Sequence, residues 1–151
     1  MRTKLFSCGL LVGASLVNYA FADNCTGYDT IVTTSSETRD LGNGMKLTTF
    51  QAESALLSQD SVYNLVVGQC SGTSLSTPDG KTRASGHCAR RDKDGDTESI
   101  SWENAPGAEK GTWKATGGTG KFAKTGNDSG WSQAIMADGK VLIVKWGGNC
   151  K

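Results

Sequence analysis

Several residue types that support common chemistries are scarce in this sequence. Its 151 residues include one histidine, two prolines and three methionines, and the 16 basic residues nearly balance the 15 acidic ones. A single histidine cannot supply a multi-histidine metal site. The balanced charge leaves no basic stripe to neutralise phosphates, so the sequence predicts no binding of nucleic acid.

Long helical stretches are also missing. Leu, Ala and Glu do not recur at helical spacing, whereas the chain has 20 glycines and recurring Thr and Ser. Short runs of alternating apolar and polar residues are interrupted by Gly, Asn and Asp. Regularly spaced short strands with turn signals are typical of an all-β sandwich or barrel. We therefore predict an all-β fold.

The N-terminus carries the pattern of a secretory signal peptide. Two basic residues precede an apolar run over Leu5–Val17, and Ala20–Ala22 forms a small-x-small cleavage signature. The run is shorter than the about 20 apolar residues of a spanning helix, which argues against membrane insertion of the mature chain. The sequence predicts a signal peptide at 1–22, one domain at 23–151, and a periplasmic or secreted location.

Four of the five cysteines remain after the signal peptide is removed, and an even number in an exported chain predicts two disulfides. There is no Cys-x-x-Cys pair, so a zinc site is disfavoured. A three-residue loop over 78–80 would close a hairpin in which Cys70 lies opposite Cys88, within bridging distance. Cys25 and Cys150 are then left to join the two ends of the mature chain, which suits a closed barrel.

Two Asp-Gly steps predict further hairpin turns, at 94–95 and at 138–139. A two-residue loop at the second turn would place Trp131 opposite Trp146 across the strands. The run "KVLIVKW" after that turn is largely apolar on both faces, which predicts a deeply buried strand.

All four tryptophans fall on predicted strands of the C-terminal half. In a small barrel, an inward tryptophan either fills the core or lines a ligand cavity. Core filling is the commoner outcome. The candidate ligand-binding residues are Trp102, Trp113, Trp131 and Trp146.

The glycine-rich stretch "GTWKATGGTGKFAKTGNDSGW", residues 111–131, invites a phosphate-binding interpretation. A Walker-type loop would need glycine at Ala115 and a hydroxyl side chain at Phe122. A dinucleotide fingerprint fits Gly-x-Gly-x-x-Ala at 118–123, but the residues that follow cannot begin the helix it requires. We therefore predict a strand, a glycine bend and a second strand, and no cofactor.

The acidic turn at 92–98 is the other candidate ion site. Counted from Asp92, Glu103 takes the twelfth position of an EF-hand loop, but Thr97 occupies the glycine position. The strand-like "SISWE" that follows argues against an exiting helix, so a solvated hairpin turn is favoured over a calcium site. His87 lies in a predicted strand and is interpreted as a structural or surface histidine. No metal is assigned.

Residues 117–126, "GGTGKFAKTG", resemble the Gly-Gly-Thr-Gly-Lys-aromatic-Ala…Thr-Gly signature of the allene oxide cyclase barrel-like proteins, which are related to plant dirigent proteins. "CARRDKDGDTESISWE" and "KWGGNC" are similar to a bacterial exported branch of that group. The resemblance covers roughly the last two-fifths of the chain. It implies an eight-stranded antiparallel barrel with a central cavity, which holds fatty-acid or phenolic ligands in the plant relatives, and it implies homo-oligomers in many members. Lys124 replaces the usual glycine, and no cyclase catalytic residue maps onto this chain, so cyclase activity is not carried over.

These observations predict an exported barrel that binds a small apolar or aromatic molecule without an assembled catalytic site. One alternative is an isomerase or cyclase acting in the cavity, for which Glu103 and His87 are the first candidates for an inward polar group. Another is a structural or interaction protein of the envelope, which would have a sealed interior and a broad exposed apolar patch.

Overall fold

The computed structural model describes residues 24–59 and 61–150, and the predicted signal peptide lies outside them. Each strand pairs antiparallel with the next, and the first also pairs with the last, so the sheet closes into a barrel. This confirms the predicted eight-stranded all-β barrel. The strands are β1 (Cys25–Gly42), β2 (Met45–Leu57), β3 (Val66–Ser76), β4 (Thr82–Arg91), β5 (Thr97–Asn104), β6 (Gly111–Gly118), β7 (Ser129–Asp138) and β8 (Val141–Asn149).

Both predicted disulfides are present. Cys70 and Cys88 are register partners across β3 and β4, as the three-residue hairpin loop predicts. Cys25 at the start of β1 bridges to Cys150 just after β8, across the seam where the barrel closes. Within the described residues, no helix is long and apolar enough to cross a bilayer.

The turns follow local chemistry. β1 and β2 are joined by Asn43 and Gly44, whose φ angles of 52° and 76° are the positive values that a two-residue type I′ hairpin requires. Gly80, in the turn between β3 and β4, has a φ angle of 78°, and Gly95, in the turn between β4 and β5, has a φ angle of 88°. A residue with a Cβ is strained at φ angles this large, which explains the glycines at 44, 80 and 95.

The predicted register of the last hairpin is wrong. Asp138 pairs with Val141, so the loop is Gly139 and Lys140, and a bulge between Ala134 and Met136 shifts the register again. As a result Trp131 lies opposite Gly147, and Trp146 lies opposite Ser132. The two tryptophans therefore point to opposite faces of the sheet, Trp146 inward and Trp131 outward.

One end of the barrel is closed by the chain itself. The segment between β2 and β3 inserts Tyr63, and the segment between β6 and β7 inserts Phe122 from a 3-10 turn at Gly120–Phe122. The two rings are 5.8 Å apart between centroids, and both side chains are fully buried. Burial of one such ring stabilises the fold by roughly 1.5–3 kcal/mol. We call this end the closed end and the opposite end, bordered by the loop between β5 and β6, the mouth.

Candidate ligand cavity

The barrel encloses a cavity of about 510 Å³ that reaches from the closed end to the mouth. Its wall is formed by the inward side chains of the strands, since side chains alternate between the two faces of a sheet. Most of this wall is apolar or aromatic. Representative lining residues are Ile31, Phe50, Tyr63, Ile100, Leu142 and Val144, and Asn104, Ala108 and Glu109 lie at the mouth.

Three of the four tryptophans line this cavity, namely Trp102, Trp113 and Trp146. Trp102 stacks on Phe50 with ring centroids 6.0 Å apart. Trp113 and Trp146 meet edge to face, also at 6.0 Å. Trp131 lies on the outer wall, where the Lys110 ammonium is 4.3 Å from the centre of its ring. A ligand in the lumen would therefore contact the first three tryptophans and not Trp131.

Glycines on the inner wall make room for these indoles. A Cβ at Gly86 would lie 2.5 Å from Cζ2 of Trp102, and one at Gly27 would lie 2.6 Å from Cζ2 of Trp146. Because these glycines have no side chain, the indoles can lie against the backbone of neighbouring strands. The arrangement places the aromatic rings along the wall of the cavity.

A buried charge cluster, consisting of Asp29, Ser54, Arg90 and Glu98, reaches the cavity between its aromatic walls. Arg90 donates Nε to Glu98 Oε2 at 2.9 Å and Nη2 to Glu98 Oε1 at 3.0 Å, a bidentate pair. Its Nη1 donates to Asp29 Oδ2 at 3.0 Å, and Ser54 donates to the other oxygen of Asp29 at 2.8 Å. Arg90 therefore donates hydrogen bonds to two carboxylates at the same time.

No motif or spacing in the sequence singles out these four residues as a site. The signal was nevertheless within reach, because the turn over 92–96 sets Arg90 directly opposite Glu98 on β4 and β5. The contribution of Asp29 and Ser54 comes from β1 and β2, and only barrel closure brings those strands to Arg90.

A second buried polar pair lies at the closed end. The Tyr63 hydroxyl donates to Asp128 Oδ2 at 2.7 Å. Burial, together with this hydrogen bond, raises the pKa of Tyr63 far above its ordinary value, so the phenol stays protonated and acts as a donor. Two further buried atoms, Trp146 Nε1 and Asn104 Oδ1, have no hydrogen-bond partner among the described residues. Buried polar atoms of this kind are usually satisfied by water or a ligand.

The glycine-rich stretch builds the closed end. β6 and β7 are paired strands, as predicted, but residues 119–128 between them form a longer crossing segment and not a tight bend. Gly120 has a φ of 51°, and the Asp96 carboxylate occupies the space that its Cβ would fill. That carboxylate accepts the backbone N–H of Lys121 at 3.0 Å, which fastens the segment to the turn between β4 and β5.

The acidic turn uses its carboxylates internally. Asp92 Oδ1 accepts the backbone N–H groups of Asp94 and Asp96, and Asp92 Oδ2 pairs with Lys121 Nζ at 2.8 Å. This lysine holds the pKa of Asp92 below its ordinary value. Across residues 24–59 and 61–150, no three His, Cys, Asp or Glu side chains converge as a metal site requires.

Of the two polar residues expected to point inward if an enzyme acts in the cavity, His87 lies on the outer wall, whereas Glu103 borders the cavity as well as the outer concavity. His87 sits between Ser71 and Ser101 as register partner of both, and Glu103 pairs with Ser85 in the adjacent row. Both side chains are exposed and help line a broad polar concavity on the outside of the sheet. Besides the charge cluster, the polar residues that border the cavity include Ser74, Glu103, Asn104, Glu109 and Ser132.

The fold and cavity together define a class, that of closed antiparallel barrels with an aromatic-walled lumen. Neither protein-family models nor curated protein sequences match this chain. Among solved structures, the pterocarpan synthase dirigent protein GePTS1 is similar, with a TM-score of 0.51 over 82% of this chain and 80% of that one. The two sequences are 18% identical, so the likeness concerns the fold. The predicted barrel fold is thus shared with a dirigent protein, while membership of the dirigent-related family, with its allene oxide cyclases and its bacterial exported branch, stays a prediction.

Proposed function

We propose that this protein is exported and binds a small apolar or aromatic molecule in its lumen. The observation that carries this proposal is the aromatic-walled cavity of about 510 Å³, a size typical of small-molecule pockets, which span about 300–1,000 Å³. A protein of the same fold is named a pterocarpan synthase, which supports small-molecule binding by such a barrel. The two disulfides fit an oxidising compartment.

Binding of an uncharged aromatic probe tests the proposal. Naphthylethanol titrated into the mature protein should give saturable heat in calorimetry, together with a change in tryptophan fluorescence. The variant Ala84→Phe places a ring into the lumen near the mouth and should weaken binding at least about tenfold by occupying the cavity.

The matched control is Ala89→Phe. Ala89 lies on the same strand, β4, but its side chain is exposed on the outer face. This variant should bind the probe as the wild type does. The proposal is wrong if the wild type binds no uncharged aromatic compound, or if Ala84→Phe and Ala89→Phe bind equally well.

An isomerase or cyclase acting in the cavity is the second candidate. The observation that favours it is the charge cluster, since ionisable groups that reach a lumen are suited to proton transfer. Asp29 is the most accessible of its three charged groups, with 9% of its side chain exposed. Incubation of bound ligand followed by mass spectrometry and NMR should then detect a product whose formation stops in Asp29→Asn while binding persists.

A further inference from the structure

The charge cluster carries more negative than positive charge. Among the buried residues of 24–59 and 61–150, Arg90 is the single cation, and Asp29 and Glu98 share it. Both carboxylates are at least nine-tenths buried. Fully ionised, the three groups sum to one excess negative charge in a low-dielectric wall, where an uncompensated charge is costly.

The geometry of Arg90 leaves it little capacity for an anionic ligand. Its Nε is engaged by Glu98, both donors of Nη1 are engaged by Asp29 and Ser54, and one donor of Nη2 is engaged by Glu98. Asp29, in contrast, accepts one hydrogen bond on each oxygen. Each carboxylate oxygen has two acceptor sites, so Asp29 can accept further donors from the lumen.

The aromatic wall adds to this preference. Phe50, Tyr63, Trp102, Trp113 and Trp146 line the same cavity as the cluster. The faces of aromatic rings attract cations, most strongly those of tryptophan, and the attraction grows when water is excluded. An ammonium group in the lumen would lie among aromatic rings and beside a carboxylate with spare acceptor capacity.

We propose that the lumen selects a cationic aromatic ligand, an aryl group bearing a protonated amine whose ammonium donates to Asp29. This inference rests on the proposed lumen binding and adds the charge of the ligand to it. Neutral aromatic compounds occupy the same cavity less tightly. Aromatic carboxylates are the weakest ligands, because they bring a second negative charge to the cluster.

The test compares three probes of similar shape by calorimetry near pH 7: naphthylethylamine, naphthylethanol and naphthylacetate. At that pH the amine is protonated and the acid is ionised, because the ordinary pKa is roughly 10 for an alkylamine and roughly 4 for a carboxylic acid. We expect the amine to bind about tenfold more tightly than the alcohol, and the acid to bind more weakly than either. An alcohol that binds as tightly as the amine, or an acid that binds most tightly, overturns the inference and leaves lumen binding intact.

Asp29→Asn tests the residue assignment. Asparagine retains the size of the side chain and can still bond to Arg90 and Ser54, but it removes the excess charge. The preference for the amine over the alcohol should fall markedly, because the contribution of Asp29 is lost and only that of the aromatic wall remains. Glu53→Gln, on the exposed outer face of β2, makes the same change in net charge and should retain the preference.

The outcomes show whether lumen binding, the charge preference or both are wrong. If none of the three probes binds, lumen binding fails and the charge preference fails with it. If Asp29→Asn retains the full preference for the amine, the assignment to the charge cluster is wrong even though lumen binding stands. The ranking of the three probes is measured on the wild-type protein alone. It therefore tests the charge preference even if Asp29→Asn does not fold.

Discussion

Replacing Arg90 with methionine should destabilise the barrel strongly, because it removes the only cation from a buried cluster of two carboxylates. The side chain of Arg90 is 2% exposed and forms four hydrogen bonds, two of them in a bidentate pair with Glu98. Removal of one partner from a buried ion pair costs about 3–5 kcal/mol. For a domain of this size, that corresponds to a fall in Tm of roughly 10–20 °C.

The loss of stability should come from the unpaired carboxylates of Asp29 and Glu98 and not from lost side-chain volume, since methionine fills most of the space of the arginine stem. The triple variant Arg90→Met, Glu98→Met and Asp29→Asn removes the charges together with their partner. Buried ion pairs replaced by apolar groups of similar size are often neutral or stabilising. The triple variant should therefore recover at least about 2 kcal/mol of the loss.

Urea unfolding followed by far-ultraviolet circular dichroism measures both free energies. A fall of less than about 1 kcal/mol in the free energy of unfolding of Arg90→Met would refute the reasoning. The two carboxylates would then not depend on Arg90 for their stability in the buried wall. The reasoning would equally be refuted if the triple variant were as unstable as the single one, since the loss would then come from packing.

Two further predictions concern the inner wall and the closed end. Gly86→Ala should destabilise the barrel by about 1–3 kcal/mol, because the new Cβ would lie 2.2 Å from a backbone carbonyl oxygen and 2.5 Å from Trp102; Gly126→Ala, where the space is open, is the control in thermal unfolding. The Asp92–Lys121 ion pair should stabilise the fold fully above the ordinary Asp92 pKa of 3.8 and progressively less as the pH falls through its lowered folded pKa. The difference in unfolding midpoint between the wild type and Lys121→Met should accordingly close in acid, and a difference that stayed constant from neutral pH to pH 3 would contradict this assignment.

The arrangement of the cavity explains why its polar and aromatic parts can coexist. Glycines at the wall let the indoles of Trp102 and Trp146 lie against the backbone, so aromatic surface is presented without filling the lumen. The charge cluster is stabilised by internal pairing, which lets it remain in an otherwise apolar wall. The wall of the cavity therefore presents charged groups as well as aromatic rings to the lumen.

Hairpin features were predictable because they depend on residues close together in the chain. The loop over 78–80 sets the register of β3 and β4, so the pairing of Cys70 with Cys88 follows from counting. The same counting fails for Trp131 and Trp146, because the loop consists of Gly139 and Lys140 and because a bulge between β7 residues 134 and 136 leaves no distinctive mark in the sequence. A one-residue change of register moves a side chain to the other face of the sheet.

The all-β class, the two disulfides and the turn between β3 and β4 could be predicted from the sequence, since each depends on local conformational preference or on a count between neighbouring strands. Which side chains meet inside the barrel follows only from its closure. Asp29 and Arg90 are 61 residues apart and hydrogen-bonded, and Tyr63 and Asp128 are 65 apart and hydrogen-bonded. No local rule relates such positions, because their contact follows from closure of eight strands around one lumen and from the segments that seal its end.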